Sequence, residues 1–313
     1  MEELTTLVSS RGLRKSCGAR NRQLVSSSPA IDDDLLAAHR PGGSIYLSTD
    51  AVPVFAKNWL PRLRVPFTLV SGDSDVPVGP ASLGSEVLAA ILENELCQGW
   101  FAQNKATQHA KLHALPIGLD YHTMAESPGL WGLTAVSPVA QEHQLLATWA
   151  QSPEPQRRYM AAYCNWCGTL ERGDRRACFE QMDRSVCFME KAHIPRASSW
   201  ARQAEFLFVV SPEGAGMDCH RTWEALLLGC IPIVKRNSIS ELLERLPVLI
   251  VEDWAQVRRE TLEGGLNELA RRTFDFSTLF RESWVRRIHG LPASAPLELT
   301  WMDFRRTMTR VTG

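Results

Sequence analysis

Short apolar runs alternate with helical patterns from Ser44 onward. Ile45–Leu47, Pro66–Val70, Trp100–Gln103 and Leu112–Ile117 read as buried strands. Asp50 is placed to cap a helix running to about Leu63, with Pro53 tolerated in its first turn. Ser85–Leu96 puts Leu88, Ile91 and Leu92 on one helical face. The second half repeats the rhythm, with strands expected at Tyr159–Cys164, Phe206–Val210, Ile231–Val234 and Val248–Val251. Its expected helices are Arg172–Met182, Cys219–Leu228 (closed by Gly229), Ser238–Leu246 and Trp254–Leu262. Apolar strands alternating with helices predict parallel sheets covered on both faces. The fold expected is α/β, with two Rossmann-like domains facing a cleft and ligands at the carboxyl ends of the strands.

Residues 1–41 lack periodicity and read as an irregular lead-in. The first domain is expected over 42–150 and the second over 151–313. A Pro-, Gly- and Ser-rich linker falls within Tyr121–Pro155, around a helix at Val139–Trp149. The arginine-rich stretch Arg281–Arg310 reads as helical and as a brace crossing back to the first domain.

Composition narrows the functional classes. A formal net charge of -1 gives no basic face for a nucleic-acid partner. No apolar run approaches the roughly 18 residues of a transmembrane helix, and no apolar core follows the early basic residues as a secretory signal requires. Eight cysteines in such a chain read as reduced thiols, and a cytoplasmic location is expected.

The chemistry concentrates in Phe206–Val234, which reads strand, glycine loop, helix, strand. Gly214 and Gly216 allow close approach of backbone to a ligand. The free N–H groups and positive end of the following helix suit a diphosphate. Asp218 is a candidate N-cap, Arg221 a candidate phosphate fork, and Glu224, three residues on, a candidate acceptor for a ribose diol. The same residues also allow a plain internal Arg221–Glu224 pair on a helix.

Arg221-Thr-Trp-Glu-Ala-Leu-Leu-Leu-Gly-Cys-Ile-Pro-Ile-Val234 resembles the donor-site signature of exostosin-like glycosyltransferases, and the likeness extends over Phe206–Trp254. A weaker match is Asn165…Thr169…Arg175 upstream, and the N-terminal half carries none. The resemblance implies a GT-B fold, a UDP-sugar donor, a glycan or other hydroxyl acceptor, and inversion at the anomeric carbon. It places Asn165, Thr169, Arg175, Glu213, Gly214, Gly216, Asp218, Arg221 and Glu224 around the donor. No metal ion or other cofactor is expected.

A displacement also needs a base to take the acceptor proton. Strand ends of the first half offer Asp50, Asp73, Asp75 and Asp120, with Asp75 favoured because its loop, Ser71–Pro77, is short and closed by proline and its carboxyl is expected to be buried near Val70 and Val76. Asp73-Ser-Asp75 has the form of a metal-binding Asp-x-Asp pair, which supplies a metal-dependent alternative. Cys164-Asn-Trp-Cys167 has redox-like spacing without a second ligand pair at metal-site spacing.

Overall fold

The computed structural model describes residues 2–23, 25–127, 129, 134–304 and 307. The first half runs α1 (Ser10–Ser16), β1 (Ala19–Arg20), β2 (Gly43–Ser48), α2 (Val52–Asn58), β3 (Phe67–Gly72), α3 (Pro80–Leu83), α4 (Ser85–Leu92), β4 (Cys97–Ala102) and β5 (Leu112–Ala114). Helices α5 (His122–Glu126) and α6 (Pro138–Gln151) follow. The second half runs β6 (Tyr159–Cys164), α7 (Arg175–Gln181), β7 (Cys187–Met189), α8 (Arg196–Gln203), β8 (Phe206–Val210), α9 (His220–Leu227), β9 (Ile231–Lys235) and β10 (Leu249–Val251). It ends in α10 (Arg259–Leu269), β11 (Thr273–Asp275), α11 (Arg281–Ile288) and β12 (Glu298–Thr300).

Two five-stranded sheets result, in the orders β1-β2-β3-β4-β5 and β10-β9-β8-β6-β7, and every pairing in them is parallel. The expected α/β architecture with two parallel sheets is therefore present. Strands β3 and β8 are buried along their whole length and lie at the centre of their sheets. The unbroken apolar run of β8 is what a strand covered on both faces requires. On α4 the buried residues are Leu88, Ile91 and Leu92, the expected stripe. No helix among the described residues is long and apolar enough to cross a membrane.

The lead-in is ordered rather than irregular. Ser9 caps α1 by accepting the Gly12 N–H, and β1 joins the edge of the first sheet. Leu7, Val8 and Leu13 are fully buried in the core that holds the second sheet. The Val8 N–H donates to the Leu279 carbonyl and the Arg281 N–H to that of Thr6. Glu142 of α6 fixes the segment further, accepting the N–H groups of Thr6 and Leu7 and the hydroxyls of Thr6 and Tyr121.

Other expectations fail locally. Asp50 caps no helix; it lies in a single 3-10 turn and accepts the Ser48 hydroxyl. Ser238–Leu246 reduces to one 3-10 turn at Ser240–Leu242. There Ser240 and Asn237 side chains take the N–H groups of Asn237 and Ile239, a local competition that interrupts helices. The helix expected from Trp254 is a capped 3-10 turn, and α10 restarts only at Arg259. Within Arg281–Arg310, α11 ends at Ile288, and residues 305, 306 and 308–310 lie outside the described residues. Helix α11 packs on α1, so the return contact is with the lead-in.

Candidate active site

A cavity of about 460 Å³ lies where the halves meet, lined by Asp75, Ile117 and Asp120 from the first and by the β6, α8 and α9 ends of the second. Polar contacts hold the two sides in place. Asn104, in the left-handed region at φ 51° just beyond β4, accepts the N–H groups of Met217 and Asp218 at 3.0 and 3.1 Å. Asp218 in turn accepts the Ile117 N–H at 2.8 Å and the Trp223 indole N–H at 2.9 Å. Gly216 keeps Asn104 in reach, since a Cβ there would sit 2.9 Å from its amide nitrogen.

One end of the cavity is rich in unneutralised positive charge. The Arg221 guanidinium donates to Asn165 Oδ1 at 2.8 Å and to the Pro212 carbonyl at 3.3 Å, both uncharged acceptors. Arg175 donates to the Thr169 hydroxyl, also uncharged, and its Nε is buried without a partner. Neither arginine forms an ion pair among the described residues. Burial and the neighbouring Arg221 pull the Arg175 guanidinium down to about 10. Gly214 lies against this guanidinium, where a Cβ would come within 3.3 Å of it.

The other end is balanced. Arg196, at the start of α8 and only 5% exposed, sits 3.1 Å from Asp120 Oδ2 and 3.5 Å from Glu224 Oε1. Asp120 also faces His122 at 3.3 Å and accepts the Thr123 N–H. Burial pushes the Asp120 carboxyl up, but His220, Arg196 and His122 outweigh it and hold it below the carboxylate range. His220 Nδ1 lies 2.7 Å from the Gly118 carbonyl. Gly118 is at φ 64°, and a Cβ there would strike the Val8 carbonyl at 2.2 Å, so only glycine fits this turn under the lead-in.

Of the residues expected around a donor, Asn165, Thr169, Arg175, Gly214, Gly216, Asp218, Arg221 and Glu224 all line this cavity. Glu213 does not. Its N–H is taken by Asp174 and its carboxylate by the Asn237 amide, which turn it into a neighbouring crevice. Asp218 is no N-cap: Cys219 holds that position, and the Asp218 carboxylate is spent on Ile117 and Trp223. Burial pushes it up to about 6, against those hydrogen bonds and His220.

The expected bases separate. Asp75 lines the cavity and is exposed, not buried among apolar neighbours. Asp50 is not part of its lining. Asp73 turns away under the lead-in, accepting the Ser26 hydroxyl near Arg11, so the two carboxylates of Asp73-Ser-Asp75 part company. Cys164 is fully buried and its thiol is pushed well up by burial. Among the described residues, no group of three or more His, Cys, Asp or Glu is arranged for a metal ion.

No family model and no curated protein matches the chain. Among solved structures it is similar to an α1,3-fucosyltransferase, with a TM-score of 0.35 and 10% identity over 79% of this chain and 74% of that one. So slight a likeness says nothing of this chain's chemistry, which must be read from the cavity itself.

Two of the cavity's residues escape the sequence patterns. Arg196 begins a helix whose buried stripe is Arg196, Ser199, Trp200 and Gln203, too polar for a hydrophobic period to reveal. His220 stands beside Arg221 in the segment singled out, but its partner Gly118 is 102 residues upstream. Asn104, in contrast, is legible as the polar turn that ends Trp100–Asn104, and Asn is among the few residues that tolerate φ > 0.

Proposed function

We propose that this cavity transfers a sugar from a nucleotide-sugar donor, most naturally a UDP-sugar, to a hydroxyl acceptor. The observation that carries the reading is the pair Arg175 and Arg221, half-buried, close enough to repel, and without a carboxylate partner among the described residues. Like charges confined in this way are costly unless an anion arrives. A diphosphate is the matching anion, because its oxygens accept forked guanidinium hydrogen bonds and the first turn of α9 adds free N–H groups. Glu224, on the same helix, is held by Arg196 through one oxygen and keeps the other for the ribose diol.

In the reaction the two arginines and the α9 terminus would stabilise charge as it builds on the departing diphosphate. Asn165 fixes the Arg221 fork, and Thr169 fixes Arg175, so the donors are oriented before the substrate arrives. In this reading, arginines do the charge neutralisation that a divalent cation supplies elsewhere, and the acceptor attacks from the opposite face with inversion. The exostosin-like residues at Arg221–Val234 point the same way.

A thermal-shift screen of nucleotides and nucleotide-sugars tests the reading. UDP and at least one UDP-sugar should raise the melting temperature, since a ligand that binds only the folded state stabilises it. No shift with any nucleotide at millimolar concentration would leave the arginine pair without its ligand and overturn the proposal.

A further inference from the structure

The acceptor proton needs a destination, and the geometry of the cavity points to one. We propose that His220 is the general base of the transfer, taking that proton on Nε2. This rests on the glycosyl-transfer reading above.

The other ring nitrogen of His220 is anchored. A carbonyl oxygen only accepts, so the 2.7 Å contact to Gly118 requires Nδ1 to donate. The neutral ring then carries its lone pair on Nε2, the form a base needs. No hydrogen-bond partner takes Nε2 among the described residues, and the ring lines the cavity. The turn holding that carbonyl is itself rigid, because Gly118 is clamped beneath Val8 and the Leu119 N–H donates to the Val8 carbonyl.

Its placement relative to the leaving group is also apt. His220 and Arg221 are consecutive on the first turn of α9, so their side chains diverge by about 100°. Arg221 turns to Asn165 and Pro212, in the second half. His220 turns across the junction to the first half. A base and a diphosphate clamp on diverging sides of the anomeric carbon are what an inverting displacement uses.

The competing carboxylates are engaged. Asp120 is held by Arg196, His122 and the Thr123 N–H. Asp218 is fully occupied by Ile117 and Trp223. Glu224 is drawn to Arg196. Asp75 lines the cavity but is exposed to solvent. The charged groups around the His220 ring are Asp120 and His122 on the facing segment and Asp218 on its own loop; the His122 ring lies 6.5 Å away.

The step balances. The acceptor oxygen bonds to the anomeric carbon as its proton passes to Nε2. The bond from that carbon to the β-phosphate oxygen breaks, its electron pair leaves with the nucleoside diphosphate, and the imidazolium later returns its proton to solvent.

The test compares the wild type with His220→Asn, whose amide can still donate to Gly118, and with Asp75→Asn. UDP affinity is measured by calorimetry and kcat as UDP released from a panel of UDP-sugars across pH. His220→Asn should hold UDP within about threefold of wild type, lose about 10²–10⁴-fold in kcat, and lose the acid limb of the pH–rate profile. Asp75→Asn should retain the acid limb, whatever its kcat. A His220→Asn enzyme with wild-type kcat and its acid limb intact overturns the proposal, as does an acid limb lost only in Asp75→Asn. A variant that loses UDP affinity as steeply as kcat would mark His220 as structural and overturn it too. Failure of the wild type to bind UDP or release it from any UDP-sugar is visible before any variant is made. It would remove the glycosyl-transfer reading and this base together.

Discussion

Arg196 and Arg221 line the same cavity, and the fold treats their charges in opposite ways. Arg196 is almost completely buried and sits between Asp120 and Glu224. Arg221, more exposed, is surrounded by an amide, a hydroxyl and a carbonyl, and has Arg175 for a neighbour. A charge whose partners are all within the chain is part of the scaffold. On the proposed reading, a charge without a carboxylate partner is free to meet an anionic ligand. The two ends of the cavity should therefore answer mutation differently, one in stability and the other in binding.

The largest effect is expected at the balanced end. Arg196→Ala leaves two buried carboxylates without their common cation and should cost about 3–5 kcal/mol of folding stability, read by denaturant unfolding. A loss below about 1 kcal/mol would mean that Arg196 is not the counter-charge its distances suggest. At the other end, Arg221→Ala should leave unfolding nearly unchanged but weaken UDP by about 1.5–3 kcal/mol, the cost of a lost charged hydrogen bond. Glu224→Ala tests the bridge between the ends. It should weaken UDP by about 1–3 kcal/mol and also expose Arg196 to a missing partner, so both readouts should move together.

How much of this was legible in the sequence follows the same division. Strand β8 and helix α9 are local: an unbroken apolar run, a glycine loop and a 3.6-residue period announce them, and Arg221 and Glu224 with them. The balanced end is assembled from afar. Asp120, Arg196 and Glu224 come from three separate stretches, and α8 buries a polar stripe that no hydrophobic pattern marks. The order of the lead-in is hidden in the sequence for the same reason. Leu7 and Val8 are only two apolar residues in a row, and their strand-like partners, Leu279 and Phe280, lie near the other end of the chain. For Glu213 the sequence shows the loop but not the partner, because the Asn237 amide that holds its carboxylate lies 24 residues on.

A smaller effect tests how the halves are joined. The Asp218 carboxyl, pushed up to about 6 from its ordinary 3.8, binds its proton more tightly in the folded chain than in the unfolded one. Stability from this group is thus present below 3.8 and is lost as pH rises through about 6. Relative to Asp218→Asn, the wild type should gain on the order of 2 kcal/mol between pH 7 and pH 4. A stability difference that does not change with pH would show that Asp218 is not buried as a titrating carboxyl.

The smallest expected effect is that of a chelator. If arginines supply the positive charge, EDTA should change UDP-sugar turnover by less than about twofold; complete loss restored by manganese would return Asp73 and Asp75 to consideration.

The proposed function rests most heavily on the Arg175–Arg221 pair as the site of a nucleoside diphosphate. Calorimetric titration of UDP into the wild type and into the Arg175→Ala/Arg221→Ala double variant, both in EDTA, measures it directly. The account predicts saturable one-to-one binding by the wild type and a loss of at least about a hundredfold in the variant, with its unfolding transition intact. Equal UDP affinity in the two proteins would contradict it.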